Sequence, residues 1–177
     1  MNVLENLSIG EIKRLFNSTD IKKIPEVTAL YKADSRAGVK NLVTAFEKKY
    51  QCYIDELERL KEISKYENDL YSQGIKYIAG VDEVGRGPLA GPVVTCAVIL
   101  EKDCDILYIN DSKKLSPAKR EELYEKICSQ ALAYSIGVVG PEEIDSINIL
   151  QATYKAMRQS LEGLKSATGR IAARQCV

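Results

Sequence analysis

The sequence predicts an α/β domain, a mixed sheet flanked by helices in three layers, preceded by a separate helical extension. Three observations predict it. Two β-prone runs, Tyr77-Ile78-Ala79-Gly80-Val81 and Pro92 through Leu100, flank a knot of glycines, prolines and charges, so residues 77–100 read as a hairpin. Beyond residue 105, strand and helix patterns alternate, the order expected when helices cover a sheet. Residues 1–74 hold only helical periodicity.

Ser8 is placed to cap a first helix carrying Ile9, Ile12, Leu15 and Phe16. Asn17-Ser18-Thr19-Asp20 reads as a turn, and Pro25 interrupts the segment after it. From Ser35, Val39, Leu42, Val43, Phe46, Tyr50, Tyr53, Ile54, Leu57, Leu60 and Ile63 recur at helical spacing, and Gly74 is a helix stop. Lys13, Arg14, Lys22, Lys23, Arg36, Lys40, Lys48 and Lys49 are candidate phosphate contacts, but charge runs usually form a solvated face, and that plainer reading is preferred.

The run from Pro92 to Leu100 is nearly continuous and β-branched, the pattern of a strand buried on both faces. Ile106 to Ile109 reads as a third short strand, and residues 110–114 as a loop. Ser116 as N-cap and Pro117 at the first position begin a helix with Leu123, Ile127 and Ala131 on one face. Residues 133–139 alternate as a strand, and Gly140-Pro141 opens another helical stretch. Leu150, Tyr154, Met157, Leu161 and Leu164 form an amphipathic stripe. After Leu164 the pattern fails. The divisions are therefore a helical extension over 1–74, a partial α/β domain over 75–165 and a divergent tail over 166–177, too short to return to the sheet.

Composition narrows the chemistry. The chain has 177 residues, 45% hydrophobic and 28% charged, with 25 basic and 25 acidic residues, so net charge gives no argument for or against a polyanion. Histidine is absent, which removes Ser-His-Asp and Cys-His catalysis and His-ligated metals. A metal site would use oxygen ligands, which suit Mg²⁺ or Mn²⁺. The 5 cysteines form no Cys-x-x-Cys pair and read as free structural thiols of a cytoplasmic protein. Neither a signal-peptide core nor a run near the ~20 apolar residues of a membrane span is present, so no membrane partner is expected.

The chemistry concentrates between the two first strands. Gly80-x-x-x-x-Gly85-Arg86-Gly87 resembles a P-loop, but Arg stands where Lys is needed and Gly where Ser or Thr holds Mg²⁺. Gly85-x-Gly87-x-x-Ala90 matches a dinucleotide fingerprint only formally, because Pro88, Gly91 and Pro92 lead into a strand instead of a helix. The remaining reading keeps Asp82 and Glu83 as the active groups. Carboxylates at the end of a buried strand are costly to desolvate and call for a cation or a reaction. Neighbours on a strand face opposite ways, so the strand must end or bulge near Glu83 for both to serve one site. Gly85-Arg86-Gly87 then offers close backbone approach and a guanidinium for a phosphate or sugar hydroxyl. The plainer alternative makes Asp82 and Glu83 turn residues paired with Arg86.

Three blocks, in order, carry a resemblance: Tyr77 through Val94, Ile109-Asn110-Asp111-Ser112-Lys113-Lys114-Leu115-Ser116-Pro117, and Pro141-Glu142-Glu143-Ile144-Asp145 with Asn148 to Thr153. Over residues 77–164 the sequence resembles bacterial ribonuclease HII, and residues 1–74 resemble the extension of some of its members. The resemblance implies an RNase H-like fold and an endoribonuclease that cuts the RNA strand of RNA–DNA hybrids and single ribonucleotides embedded in duplex DNA. It implies Mn²⁺ or Mg²⁺, in-line hydrolysis, and a role in ribonucleotide excision by a monomer. Asp82 and Glu83 match two of the family's four metal-binding acids. Gly85, Arg86 and Gly87 match the loop that reads the ribose 2′-hydroxyl, the group that separates RNA from DNA. Lys113 matches a substrate-backbone contact.

The family's third acid belongs on a strand after the helix ending near Leu164, commonly within Val-Asp-Gly, yet residues 166–177 contain no Asp or Glu. The expectation is an incomplete RNase H-like sheet, with catalysis by this chain doubtful and apolar edges left bare to aggregate. The alternative is an inactive remnant or a weak nucleic-acid-binding protein.

Overall fold

The computed structural model describes residues 7–88, 90–168 and 172–175, and only the backbone at 165–168 and 172–175. The chain divides into two compact units, Met1–Ile63 and Ser64–Val177.

In the first unit, helix α1 (Ile9–Ser18) starts with a capping box. Ser8 Oγ accepts from the Glu11 N–H at 3.3 Å, and the Glu11 carboxylate accepts from the Ser8 N–H at 2.8 Å. Helix α2 (Ile24–Tyr31) has Pro25 in its first turn. There the missing N–H would have had no intrahelical partner, so Pro25 opens the helix where the sequence suggested an interruption. Helix α3 (Ala37–Ile63) spans 27 residues. Ile12, Phe16, Ile24, Tyr31, Val39, Val43 and Phe46 form the core. The Phe16 ring sits 4.8 Å from Phe46 and 5.8 Å from Tyr31, centroid to centroid.

Arg36, a candidate phosphate contact, is engaged internally. Its Nη2 and Nε donate to the Asp34 carboxylate at 2.6 and 3.0 Å, and its Nη1 donates to the Leu7 carbonyl at 2.7 Å. The guanidinium holds the Asp34 carboxyl below its ordinary range.

In the second unit, helix α4 (Lys65–Ser72) is separated from α3 by Ser64, so the long helical pattern is two helices. It stops at Gly74 in a Schellman arrangement: the Ile75 N–H donates to the Leu70 carbonyl at 3.2 Å and the Gly74 N–H to that of Tyr71 at 3.0 Å. Strands β1 (Ile78–Val84) and β2 (Val93–Leu100) pair antiparallel, as the hairpin reading requires. Residues 106–109 are not a strand; Ile106 is buried and Tyr108 takes φ +68°, which no strand tolerates. Helix α5 (Pro117–Gln130) is capped by Ser116, and Ala131 leaves it to begin β3 (Ala131–Val139), antiparallel to β2. Helices α6 (Pro141–Ile147) and α7 (Ile149–Thr168) lead to β4 (Ala172–Gln175).

β4 corrects the expectation that the tail does not rejoin the sheet. It pairs parallel with β1, Ile78 opposite Ala172 through Val81 opposite Gln175. The sheet order is β3-β2-β1-β4, mixed in sense and with β1 inside. Its strands are paired through main-chain groups, so a segment without a strand-like pattern can complete it.

Alternation sets the faces. Ala79, Val81, Val93, Ala97, Ile99 and Val139 turn toward α7 and pack on Ala152, Ala156, Met157 and Leu164. The α7 stripe differs from the sequence expectation: Leu150 and Tyr154 are exposed, and Ala152, Thr153, Ala156 and Ser160 are buried. Small residues are required because the helix backbone nearly touches the sheet. A Cβ on Gly137 would stand 2.0 Å from the Ala156 carbonyl oxygen. Thr95 and Ser160 satisfy each other across this contact, with a 3.3 Å hydrogen bond between hydroxyls. On the opposite face, which borders α5, Leu132, Tyr134, Ile136 and Val138 of β3 are each 48–59% exposed. No helix among the described residues is long and apolar enough to cross a membrane.

Candidate functional site

The site grows from the end of β1. The strand is expected to end or bulge near Glu83; instead it stays in unbroken register to Val84, with Asp82 opposite Cys96 and Glu83 opposite Thr95. The apolar partner run on β2 continues past both acids, and main-chain pairing carries β1 with it. Glu83 therefore begins on the α7 face with Thr95, and Asp82 on the opposite face with Cys96. The Asp82 carboxylate bends along the strand and accepts from the Glu83 N–H at 2.8 Å. Glu83 is partly buried, and its Oε1 lies 3.4 Å from Nη1 of the half-exposed Arg86. Of the turn-residue alternative only the Glu83–Arg86 pair is found: both acids lie within β1, and among the described residues no ion pair joins Asp82 to Arg86.

Beyond Val84 the chain turns at Gly85, where glycine is needed twice over. Its φ is +92°, and a Cβ would stand 2.3 Å from the Pro92 carbonyl oxygen. Gly87 differs: nothing described lies within 4 Å of an added Cβ, so its bare backbone faces open space. Asp82, Glu83, Gly85, Arg86 and Gly87 are thus gathered on one strand end and turn. Lys113 sits apart on the 3-10 turn Ser112–Lys114, and among the described residues no hydrogen bond or ion pair joins it to them.

The fit to a divalent ion is one of kind. The donors are carboxylate oxygens, as Mg²⁺ and Mn²⁺ prefer. Among the described residues no cluster of three or more Asp, Glu or Cys is arranged to hold a metal. Asp82 and Glu83 supply two of the about six positions such an ion fills, and one side chain must swing around the strand end for both to reach it.

Sequence reasoning missed Arg120. It lies in the first turn of α5, where the helix dipole disfavours a cation. That misplaced charge was the available signal. Its Nη1 donates to the carbonyls of Ser112 and Leu115 at 3.2 and 2.8 Å, on either side of Lys113.

Residues 79–176 match the ribonuclease HII family, and residues 8–71 match the ribonuclease HII N-terminal domain. The chain is 46% identical to a ribonuclease HII of Clostridioides difficile over 93% of its own length and 64% of the relative's. It is 46% identical to that of Ligilactobacillus salivarius over 95% and 65%, and 54% identical to one of Bacillus cereus over 74% and 51%. The chain thus spans less than two thirds of the length of these relatives.

Proposed function

The chain belongs to the ribonuclease HII family, and from that premise we propose that it carries the metal-gripping acid pair and the ribose-reading loop of an endonuclease acting on the RNA strand of RNA–DNA hybrids and on ribonucleotides embedded in duplex DNA. The observation that supports this most is the adjacency at the end of β1: two carboxylates followed by a turn whose glycines keep its backbone bare.

In this reading Asp82 and Glu83 hold Mg²⁺ or Mn²⁺. When bound, the ion neutralises charge on the scissile phosphate and lowers the pKa of water. The chain's own residues do the rest. Gly85 fixes the turn. Gly87 lets main-chain groups come within hydrogen-bond reach of a ribose 2′-hydroxyl, which DNA lacks. Arg86, released from Glu83, offers its guanidinium to a phosphate or hydroxyl. Lys113 meets the backbone as a point charge. The protein works in the cytoplasm, a reading supported by the free thiols of Cys52, Cys96, Cys104 and Cys128.

A second reading is favoured by β4. The resemblance calls for an acid on a strand after α7, and β4 carries Ala-Ala-Arg-Gln. Residues 1–177 alone then bind ribonucleotide-containing duplex but hydrolyse it weakly or not at all. Two assays separate the readings. The first measures binding to a duplex with one embedded ribonucleotide against the all-DNA duplex of the same sequence. A preference for the ribonucleotide is expected; equal affinity overturns the family function for this chain. The second measures cleavage of the same duplex with Mn²⁺. Cutting no faster than in Asp82→Asn is expected, and robust cutting abolished by that substitution refutes the weak-activity reading.

A further inference from the structure

The loop that bears Lys113 is held at both ends. Asp111 Oδ1 accepts from the Lys113 N–H at 3.0 Å, and the Lys114 N–H donates to the Asp111 carbonyl at 2.9 Å. The Leu115 N–H donates to the Ser112 carbonyl at 3.3 Å. These bonds are local and close only one turn. Arg120, from the following helix, adds the contacts that tie this turn to α5, bridging the Ser112 and Leu115 carbonyls.

The neighbouring side chain works in the same region. Lys119 stands 5.1 Å over the Tyr108 ring and pairs with Glu122 at 2.9 Å. Tyr108 is the residue at φ +68° where the loop bends. Two successive basic residues in the first turn of α5 therefore anchor the two halves of the 108–115 segment, one through a ring and one through carbonyls. A cation at a helix N-terminus is unfavourable by itself. Carbonyl oxygens offset that cost, and the two hydrogens of Nη1 serve both of them from one nitrogen held at the end of the rigid guanidinium plane.

We propose that Arg120 is a positioning residue: it fixes the Ser112–Leu115 turn and so sets where the Lys113 ammonium meets a substrate phosphate. The inference rests on the reading of Lys113 as a backbone contact. It makes Arg120 act through Lys113, not through a phosphate of its own.

The test is binding of the 177-residue chain to a fluorescent duplex with one embedded ribonucleotide, in chelator and across a salt series. Losing one phosphate contact lowers affinity about eightfold near 0.1 M salt and reduces the salt slope by about 0.9. Lys113→Met is expected to do both. Arg120→Gln is expected to do the same, and the double variant to add nothing to Lys113→Met, the non-additivity of residues acting as a unit. Arg120→Lys keeps the charge but loses the planar NH2 group whose two hydrogens point at the two carbonyls, and is expected to stay impaired. Additive losses, with two increments in slope, or full rescue by Arg120→Lys, overturn the positioning role. So does an Arg120→Gln chain that binds like the native one while Lys113→Met is weakened; the reading of Lys113 then survives. Native binding by Lys113→Met removes that reading and the inference with it. Matching thermal melts for the exposed Arg120 variants exclude loss of fold as the cause.

Discussion

Gly85 and Gly87 stand two residues apart and are expected to fail in opposite ways when given a methyl group. At Gly85 the new Cβ would lie 2.3 Å from the Pro92 carbonyl oxygen, against the 3.4 Å of ordinary contact, so the two sides of the β1–β2 turn must part by roughly an ångström. The φ of +92° adds strain that an L-residue does not relieve. Overpacking of about 1–3 kcal/mol and left-handed strain of about 1–2 kcal/mol put Gly85→Ala near 3 kcal/mol. A shift of that size in the turn carrying Arg86 is also enough to spoil recognition, since about 1 Å of misplacement costs on the order of a hundredfold in a positioned site. At Gly87 nothing described opposes the methyl, so Gly87→Ala is expected to unfold within about 0.5 kcal/mol of the native chain. If Gly87 reads the ribose as proposed, the same variant loses its preference for the ribonucleotide duplex, because the methyl fills the space left for the sugar. Urea unfolding measures the first quantity and fluorescence anisotropy the second. Native stability in Gly85→Ala, or equal destabilisation by the two substitutions, would refute this division of labour.

The packing and the charges give three further expected outcomes. Gly137→Ala drives a Cβ to 2.0 Å from the Ala156 carbonyl oxygen, and is expected to cost about 3 kcal/mol or more in urea unfolding, with Gly140→Ala, which meets nothing described, near neutral. Asp34 has its folded pKa lowered by the Arg36 hydrogen bonds, so its contribution is present above the unfolded value of about 3.9 and fades as pH falls through the folded one. Melting temperatures of native and Asp34→Asn chains should therefore differ at pH 6 and converge toward pH 3; a gap independent of pH contradicts the linkage. Ile136→Lys, in the middle of the exposed apolar stripe of β3, is expected to reduce concentration-dependent association in sedimentation velocity, whereas unchanged association would place the sticky surface elsewhere.

Much of this fold was legible because its signals are local. Ser8 with Glu11, Ser116 with Pro117, and Gly74 each act within one turn, and each appears where the residues place it. The hairpin was legible because its two runs are apolar enough to be buried. What failed to show depends on distant partners. β4 has no strand pattern of its own and takes its form from β1. The buried face of α7 could not be read from its large residues, because the contact with Gly137 admits only small ones. The positive φ at Tyr108 belongs to a loop shape that no residue type announces. At the site, the residue types pointed to Asp82, Glu83 and the glycine turn, but the continuation of β1 past both acids is imposed by β2. Arg120 was hidden because an exposed arginine on a helix ordinarily means only solvation.

The proposed grip of Asp82 and Glu83 on one divalent ion must overcome their start on opposite faces of β1. Titration of the chain with Mn²⁺, read from the paramagnetic resonance of the free ion, tests it without any need for catalysis. The account predicts a saturable site whose affinity falls about tenfold or more in both Asp82→Asn and Glu83→Gln, and stays native in Asp111→Asn, since Asp111 only caps the Lys113 turn. Native affinity in either acid variant would mean that the two carboxylates do not share a cation.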